Sequence, residues 1–237
     1  MPVREVLALL QFTTILPLGK MQDLASFARR IYLYPVAGYV IGGIAALAVW
    51  RIGHPALAAA IALSIALVIS GFHHLDGLLD FGDGLMAQGD REKRIHALTD
   101  RQVGAGGIGL GLVVTLLAFG ALLSVPSVVM AILAGEVSAK AAMAGMTVYG
   151  KPFKEGMHAY LHRHTRPWFF VPALLFFIPL LFVLRWDRLL ALISVTLAVT
   201  LGMLFTSSRI FGGVNGDVVG ATNEIVRAAA LVTLALV

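Results

Sequence analysis

The chain has 237 residues, 59% of them hydrophobic and 13% charged, and its mean hydropathy is +0.88. Soluble domains carry about 45–50% apolar and about 25% charged residues, so this composition excludes a water-soluble globular protein. We therefore predict that much of the apolar surface contacts the lipid bilayer. Cysteine is absent, which excludes thiolate metal sites and cysteine nucleophiles, and the net charge of +5 comes without the basic arm or aromatic pattern of a nucleic-acid-binding protein.

The predicted elements begin with a short N-terminal helix. Residues 3–16 carry apolar side chains at helical spacing but are too few to cross a membrane, so we predict an interfacial helix. Segments of spanning length with few or no charges follow. They cover residues 31–50, 55–72, the two halves of 102–149 on either side of Pro126, 167–184, 189–208 and 218–237. The sequence therefore predicts an all-α polytopic transmembrane helical bundle of about seven spanning helices, forming a single integral membrane domain over residues 1–237.

The distribution of lysine and arginine predicts the orientation of this bundle. Thirteen of these residues lie in the first 30 positions and in loops 71–101, 150–166 and 208–217, whereas three lie in the opposite loops. Because cytoplasmic loops are enriched in basic residues, we predict a multi-pass protein of the cell (inner or plasma) membrane with the large loops in the cytoplasm. The sequence leaves the oligomeric state open, a homo-oligomer included.

The loop after the second predicted span contains a cluster of aspartates. Asp76, Asp80 and Asp83 are spaced i, i+4 and i+7, so they share one face if the span continues as a helix. Like charges at this spacing repel each other, and a divalent cation would remove the repulsion. Oxygen ligands alone favour Mg²⁺ or Mn²⁺. A solvated acidic helix end is the alternative. His73 and His74 precede the cluster, and one of them is placed to hydrogen-bond a carboxylate.

A glycine-rich stretch opens the next predicted span. Asp100 and Arg101 precede Gly104, which is followed by further glycines at the start of the helix. Backbone amides at a helix N-terminus can hold a phosphate group, and the charged pair beside them favours that interpretation. Close packing between membrane helices is the alternative.

Ionisable residues also occur inside the predicted spans. Glu136 and Lys140 are spaced i, i+4, and Glu224 and Arg227 are spaced i, i+3. Such residues are functional candidates by default in a membrane, although simple pairing explains both spacings equally well.

Two further groups of polar residues lie in predicted cytoplasmic loops. In the glycine-rich turn 212–217, Asp217 offers another oxygen ligand or a general base, with a plain turn as the alternative. His158, His162 and His164 lie in a basic loop. The His-x-His pair at 162 and 164 is a pattern seen in zinc sites, but the loop offers no obvious third ligand, so we interpret the three histidines as surface or substrate contacts.

Taken together, these segments resemble the cobalamin synthase family of membrane enzymes, the adenosylcobinamide-GDP ribazoletransferases. The most specific segment is 74–84, His-Leu-Asp-Gly-Leu-Leu-Asp-Phe-Gly-Asp-Gly. Segments 12–17, 100–107 and 212–221, with Glu224 after the last, are similar to other family motifs. The resemblance covers nearly the whole chain. Lys140 stands where many members have arginine, which keeps the charge and loses the planar fork.

The resemblance implies a Mg²⁺-dependent reaction. In this family α-ribazole, or its 5′-phosphate, attacks adenosylcobinamide-GDP and GMP leaves. Phosphoryl transfer relies mainly on positioning and charge neutralisation, so the polar residues are assigned accordingly. The predicted metal ligands are Asp76, Asp80, Asp83 and Glu224; the predicted catalytic residues are Asp100 and Asp217; the predicted substrate-binding residues are His74, Arg101, Gly104, Lys140, Lys154, Arg166 and Asn215.

Two other functions are alternatives to this one. Residues 80–87 are similar to the Asp-x-x-Asp-Gly-x-x-Ala segment of CDP-alcohol phosphotransferases, but Gln88 and Ala97 depart from that pattern and its last two aspartates are missing. A transporter with Glu136 and Lys140 on an ion path is disfavoured, because the chain has no internal repeat of interrupted spans.

Overall fold

The computed structural model describes residues 3–237, which form twelve α-helices. The helices are α1 Val3–Thr13, α2 Leu24–Ala28, α3 Tyr34–Val49, α4 Pro55–Ile69, α5 His73–Met86, α6 Arg91–Leu98, α7 Ala105–Ser124, α8 Val128–Tyr149, α9 Met157–Arg163, α10 Phe170–Leu175, α11 Trp186–Ile210 and α12 Gly216–Leu236. Within the described part of the chain, β-structure is limited to one isolated bridge between Pro152 and Val214. The all-α prediction is therefore confirmed.

Five of these helices are long and apolar enough to cross a membrane. They are Ile31–Val49, which includes α3, and α7, α8, α11 and α12. Two bent pairs raise the number to seven if each pair counts as one span: α4 with α5, and α9 with Pro167–Phe182. The predicted break at Pro126 is also present, because α7 ends at Ser124 and α8 begins at Val128. A polytopic helical bundle is thus confirmed.

The second predicted span does not continue straight into the aspartate cluster. It ends at Ile69, and the helix that follows, α5, is inclined to α4 by 89°. Gly71 and Phe72 have φ values of +63° and +58°. A right-handed helix cannot pass through two successive residues in the left-handed region. The aspartates therefore lie on a separate helix rather than on an extension of the span.

The predicted span 167–184 is likewise interrupted. It consists of α10 between two 3-10 helices, Pro167–Phe169 and Ile178–Phe182. The prolines at 167, 172 and 179 lack an amide hydrogen and so prevent an unbroken α-helix through this segment.

Helices α8 and α12 form the centre of the bundle. In their most apolar stretches 78% and 72% of the residues are buried, compared with 33% in α7 and 28% in α11. Helix α3 approaches α8 closely at Gly38, where an added Cβ atom would lie 2.6 Å from the carbonyl oxygen of Glu136. Small residues allow this backbone contact between membrane helices. Helix α12 therefore lies in the most deeply buried part of the bundle.

Candidate active site

Helix α5 crosses the first turns of α12 with almost no space between the backbones. An added Cβ at Gly77 would lie 2.7 Å from the carbonyl oxygen of Asp217, and one at Gly220 would lie 3.3 Å from the Cα of His74. Both glycines therefore let the two helices touch. This crossing brings the α5 aspartates to Asp217, which is far away in the sequence.

The N-terminus of α12 fixes the side chain of Asp217. Asn215 is the N-cap residue of α12, and its Oδ1 accepts a hydrogen bond from the amide of Val218 at 3.1 Å. Its Nδ2 donates to Oδ2 of Asp217 at 2.6 Å. Because Asn215 is buried, it cannot turn away from either partner. The predicted substrate residue Asn215 is therefore placed to orient the Asp217 carboxylate.

Four carboxylates and one lysine gather at this crossing. Asp76, Asp83 and Asp217 lie close enough to the half-buried Asp80 for their charges to repel its carboxylate, whereas the charge of Lys154 attracts it. Lys154 and Asp217 also line one cavity together. The cluster therefore carries more negative than positive charge and attracts cations.

The donor set of this cluster fits Mg²⁺. Within residues 3–237, no three acidic or histidine side chains converge as a ready-made metal cage. Mg²⁺ is usually held by one or two carboxylates, with water and substrate phosphates completing its shell, so it does not require such a cage. Asp76, which is exposed, and Asp80 beside it on α5 supply carboxylate oxygens of this kind.

Asp83 is engaged differently from the other two aspartates of α5. Its carboxylate accepts hydrogen bonds from the amides of Gly104 at 2.6 Å and Gly107 at 2.8 Å. These amides belong to the first turn of α7, where a carboxylate also interacts favourably with the helix dipole. Asp83 was predicted to bind metal, and the amide of Gly104 was predicted to bind phosphate. In the structure, the Asp83 carboxylate and this amide are hydrogen-bonded to each other.

Lys154 reaches the cluster because its loop is tied to the turn before α12. The amide of Val214 donates to the carbonyl of Lys151 at 2.8 Å, and the amide of Phe153 donates to the carbonyl of Val214 at 3.4 Å. A cavity of about 200 Å³ lies beside this loop. Its lining includes Lys154, Met157, His158, Asn215, Gly216 and Asp217.

A second cavity, of about 250 Å³, adjoins the first. Met157, His158, Gly216 and Asp217 line both cavities. His74 also lines the second cavity and, like His158, is buried. The sequence placed His158 only among general surface or substrate contacts, because nothing in its loop indicates that it is buried.

Four charged residues form a buried network between α8 and α12. Lys140 lies 3.6 Å from Glu136, and Arg227 bridges Glu136, at 2.8 Å, and Glu224. Nζ of Lys140 also donates to Asn223 at 2.7 Å. The simple pairing considered for both spacings is therefore present. Lys140 was predicted to bind substrate, and it instead contacts Glu136 and Asn223. Glu224 was predicted to bind metal, and it instead pairs with Arg227.

The remaining predicted residues are exposed. Asp100 lies between α6 and α7, where its Oδ1 accepts from the amide of Gln102 at 3.1 Å. Arg101 and Arg166 are exposed as well. None of these three residues lines either of the two cavities beside Asp217.

Comparison with known proteins gives one consistent family. The family model described as cobalamin-5-phosphate synthase matches residues 5–235. The adenosylcobinamide-GDP ribazoletransferase of Halorubrum lacusprofundi is 37% identical over 94% of this chain and 93% of its own length. The adenosylcobinamide-GDP ribazoletransferase of Methanosarcina barkeri is 34% identical over 95% of this chain and 89% of its own length. That of Pyrobaculum islandicum is 35% identical over 99% of this chain and 96% of its own length. No solved structure matches the chain.

Proposed function

This chain belongs to the cobalamin-5-phosphate synthase family of cobalamin-biosynthesis transferases, and we propose that it joins α-ribazole, or α-ribazole 5′-phosphate, to adenosylcobinamide-GDP with release of GMP. The observation that carries the proposal is the meeting of Asp76, Asp80, Asp217 and Lys154 where α5 crosses the start of α12. The whole chain acts as a single membrane domain, because residues from both halves build this one site.

The reaction is a substitution at phosphorus. The 5′-hydroxyl oxygen of the nucleoside forms a bond to the phosphorus that carries the corrinoid side chain. The bond from that phosphorus to the bridging oxygen of the diphosphate breaks, and GMP leaves with the electron pair. The hydroxyl proton passes to a base. A protein catalyses such a transfer mainly by positioning the reactants and neutralising charge.

Asp217 is the base in this proposal. Its carboxylate is held at one oxygen by Asn215 and is half-buried at the junction of the two cavities. A positioned carboxylate at the meeting point of two substrates is suited to accept the proton of an attacking hydroxyl. Asp100, the other predicted catalytic residue, is exposed and lines neither cavity, which makes it the weaker candidate.

Asp76 and Asp80 hold the cation in this proposal, and Lys154 contacts the diphosphate. A Mg²⁺ ion bound there supplies neutralisation of the phosphate oxygens and of the leaving group. Asp83 supports the site indirectly, since its bonds to Gly104 and Gly107 fix α7 against α5. Glu224 acts within the buried network rather than as a ligand.

The distribution of basic residues supports a location of the site on the cytoplasmic side of the membrane. Lys154 and the positively charged loops around it are predicted to face the cytoplasm of a cell membrane. A GDP-activated substrate would approach from that side, and the two exposed arginines predicted to bind substrate, Arg101 and Arg166, are available there for phosphate contacts.

The test is turnover by the purified protein in liposomes. Adenosylcobinamide-GDP and α-ribazole are supplied with and without Mg²⁺, and GMP and the completed cobamide are measured. We expect both products in equal amounts, only with the metal present, and their loss in Asp80→Asn. Absence of both products from folded protein would refute the proposal, and CDP-activated lipid with an alcohol acceptor would then be tested.

A further inference from the structure

The cavity of about 250 Å³ beside Asp217, here named the histidine cavity, has a lining of mixed chemistry. Its lining includes the aromatic and apolar side chains of Phe12, Tyr34 and Met143. It also includes the imidazoles of His74 and His158. Pockets that bind aromatic heterocycles combine an apolar wall with a few convergent polar groups in this way.

The size of the histidine cavity decides which substrate it can take. Sites for complete small molecules measure about 300–1,000 Å³, so a cavity of about 250 Å³ takes only a small ligand or part of a larger one. A corrin macrocycle bearing a guanosine diphosphate is far too large. A flat bicyclic base with its sugar matches the available space much better, because the sugar can extend toward Gly216, which is exposed and lines both cavities.

The ring of His158, a residue that lines this cavity, carries a hydrogen-bond acceptor without a partner among the described residues. Its Nε2 lies 2.8 Å from the carbonyl oxygen of Gly150. A carbonyl can only accept, so Nε2 carries the hydrogen and Nδ1 of the neutral ring is an acceptor. Within residues 3–237 this buried Nδ1 has no hydrogen-bond partner, and neither has Nδ1 of His74. A ligand that brings a hydroxyl and a ring nitrogen would satisfy both imidazoles.

The position of the cavity relates it to the proposed reaction. Asp217 and His158 line the histidine cavity and also the cavity that contains Lys154. A nucleoside bound in the first therefore presents its sugar hydroxyl at Asp217, with Lys154 and the phosphate on the far side.

From this arrangement we propose that the histidine cavity binds the nucleophilic substrate, a nucleoside with a bicyclic aromatic base. The base lies against Phe12, Tyr34 and Met143, and a sugar hydroxyl donates to Nδ1 of His158. This proposal rests on the proposed function, because it divides one reaction between two adjoining subsites.

A matched pair of histidine variants tests the division kinetically. Loss of one buried hydrogen bond corresponds to about a tenfold change in binding, so His158→Ala should raise KM for α-ribazole about tenfold and leave KM for adenosylcobinamide-GDP unchanged. His164→Ala is the control, because its Nδ1 also bonds a backbone carbonyl, that of Tyr160 at 2.9 Å, but it does not line the cavity. An unchanged KM for α-ribazole, or a raised KM for the corrinoid alone, would overturn the proposal while the transferase function stands.

Photolabelling of the wild-type protein gives a second measurement that does not depend on variant folding or turnover. An azido-benzimidazole riboside is bound to protein in nanodiscs, irradiated and located by peptide mass spectrometry. We expect labels on α8 near Met143 or on α9 near Met157, removed by excess α-ribazole. Labels confined to other helices would overturn the proposal. Labelling at these sites without any turnover would instead refute only the transferase function.

Discussion

Gly77 of α5 and Asp217 of α12 touch backbone to backbone, with only 2.7 Å between an added Cβ at Gly77 and the Asp217 carbonyl oxygen. This contact sets the distance between the aspartates of α5 and the proposed base. No side chain, even a methyl group, fits without moving one of the two helices.

Gly77→Ala should therefore reduce turnover with little loss of folded protein. A displacement of about 1 Å at a catalytic group can cost about 100-fold in rate, and we expect a fall of that order in kcat. Gly109→Ala is the matched control, because nothing lies within 4 Å of a Cβ added there. The measurement is kcat in liposomes together with the yield of monodisperse protein. Equal activities of the two variants would contradict the role of the contact.

Asp80 and Asp83 should behave differently although both lie on α5. Asp80→Asn removes a proposed ligand and should lower kcat/KM by about 100-fold or more at unchanged thermal stability. Asp83→Asn should lower the free energy of unfolding by about 1–3 kcal/mol, since the amide replaces one of two oxygens that accept from Gly104 and Gly107. Thermal unfolding and activity, measured on both proteins, check this. A stable Asp83→Asn protein without activity would return Asp83 to the metal ligands.

Removal of the metal should abolish turnover reversibly. Chelation with EDTA is expected to stop GMP release, and added Mg²⁺ or Mn²⁺ should restore it, because the proposed donors are all oxygen. In Asp76→Asn the Mg²⁺ concentration for half-maximal activity should rise about tenfold or more. Titration of metal against initial rate gives both results. Full activity after exhaustive chelation would rule out a metal-dependent mechanism.

The buried network should tolerate loss of a charge pair better than loss of one charge. Arg227→Met leaves Glu136 and Glu224 with only Lys140 for compensation, and removal of one partner from a buried ion pair costs about 3–5 kcal/mol. Adding Glu224→Gln restores neutrality and should recover part of the folded yield. Size-exclusion profiles and thermal midpoints of the single and double variants check this. A double variant less stable than Arg227→Met would contradict charge balance as the cause.

Features set by neighbouring residues could be predicted from the sequence. The long apolar segments and the break at Pro126 follow from local composition, and the i, i+4 spacing correctly placed Asp76 and Asp80 on one helix face. The bend at Gly71 and Phe72 was not predicted, because the apolar run continues to Phe72 and hides where the helix ends.

Contacts between distant segments could not be predicted. Asp83 caps an amide 24 residues away, and Arg227 pairs with Glu136 across 91 residues. A single sequence contains no signal for such a pairing, since helical spacing reports only neighbours on one helix. For the same reason Asp217 could be predicted as a catalytic residue, but its contact with Gly77 could not.

The buried network also has a consequence for biogenesis. Helix α8 carries Glu136 and Lys140, and α12 carries Glu224 and Arg227, so each helix brings one charge of each sign. Because synthesis proceeds from the N-terminus, α8 is made first and can insert as an electrically balanced segment before α12 exists. The bond between Arg227 and Glu136 forms only when α12 docks. Formation of this ion pair therefore coincides with the docking of the helix that bears Asp217.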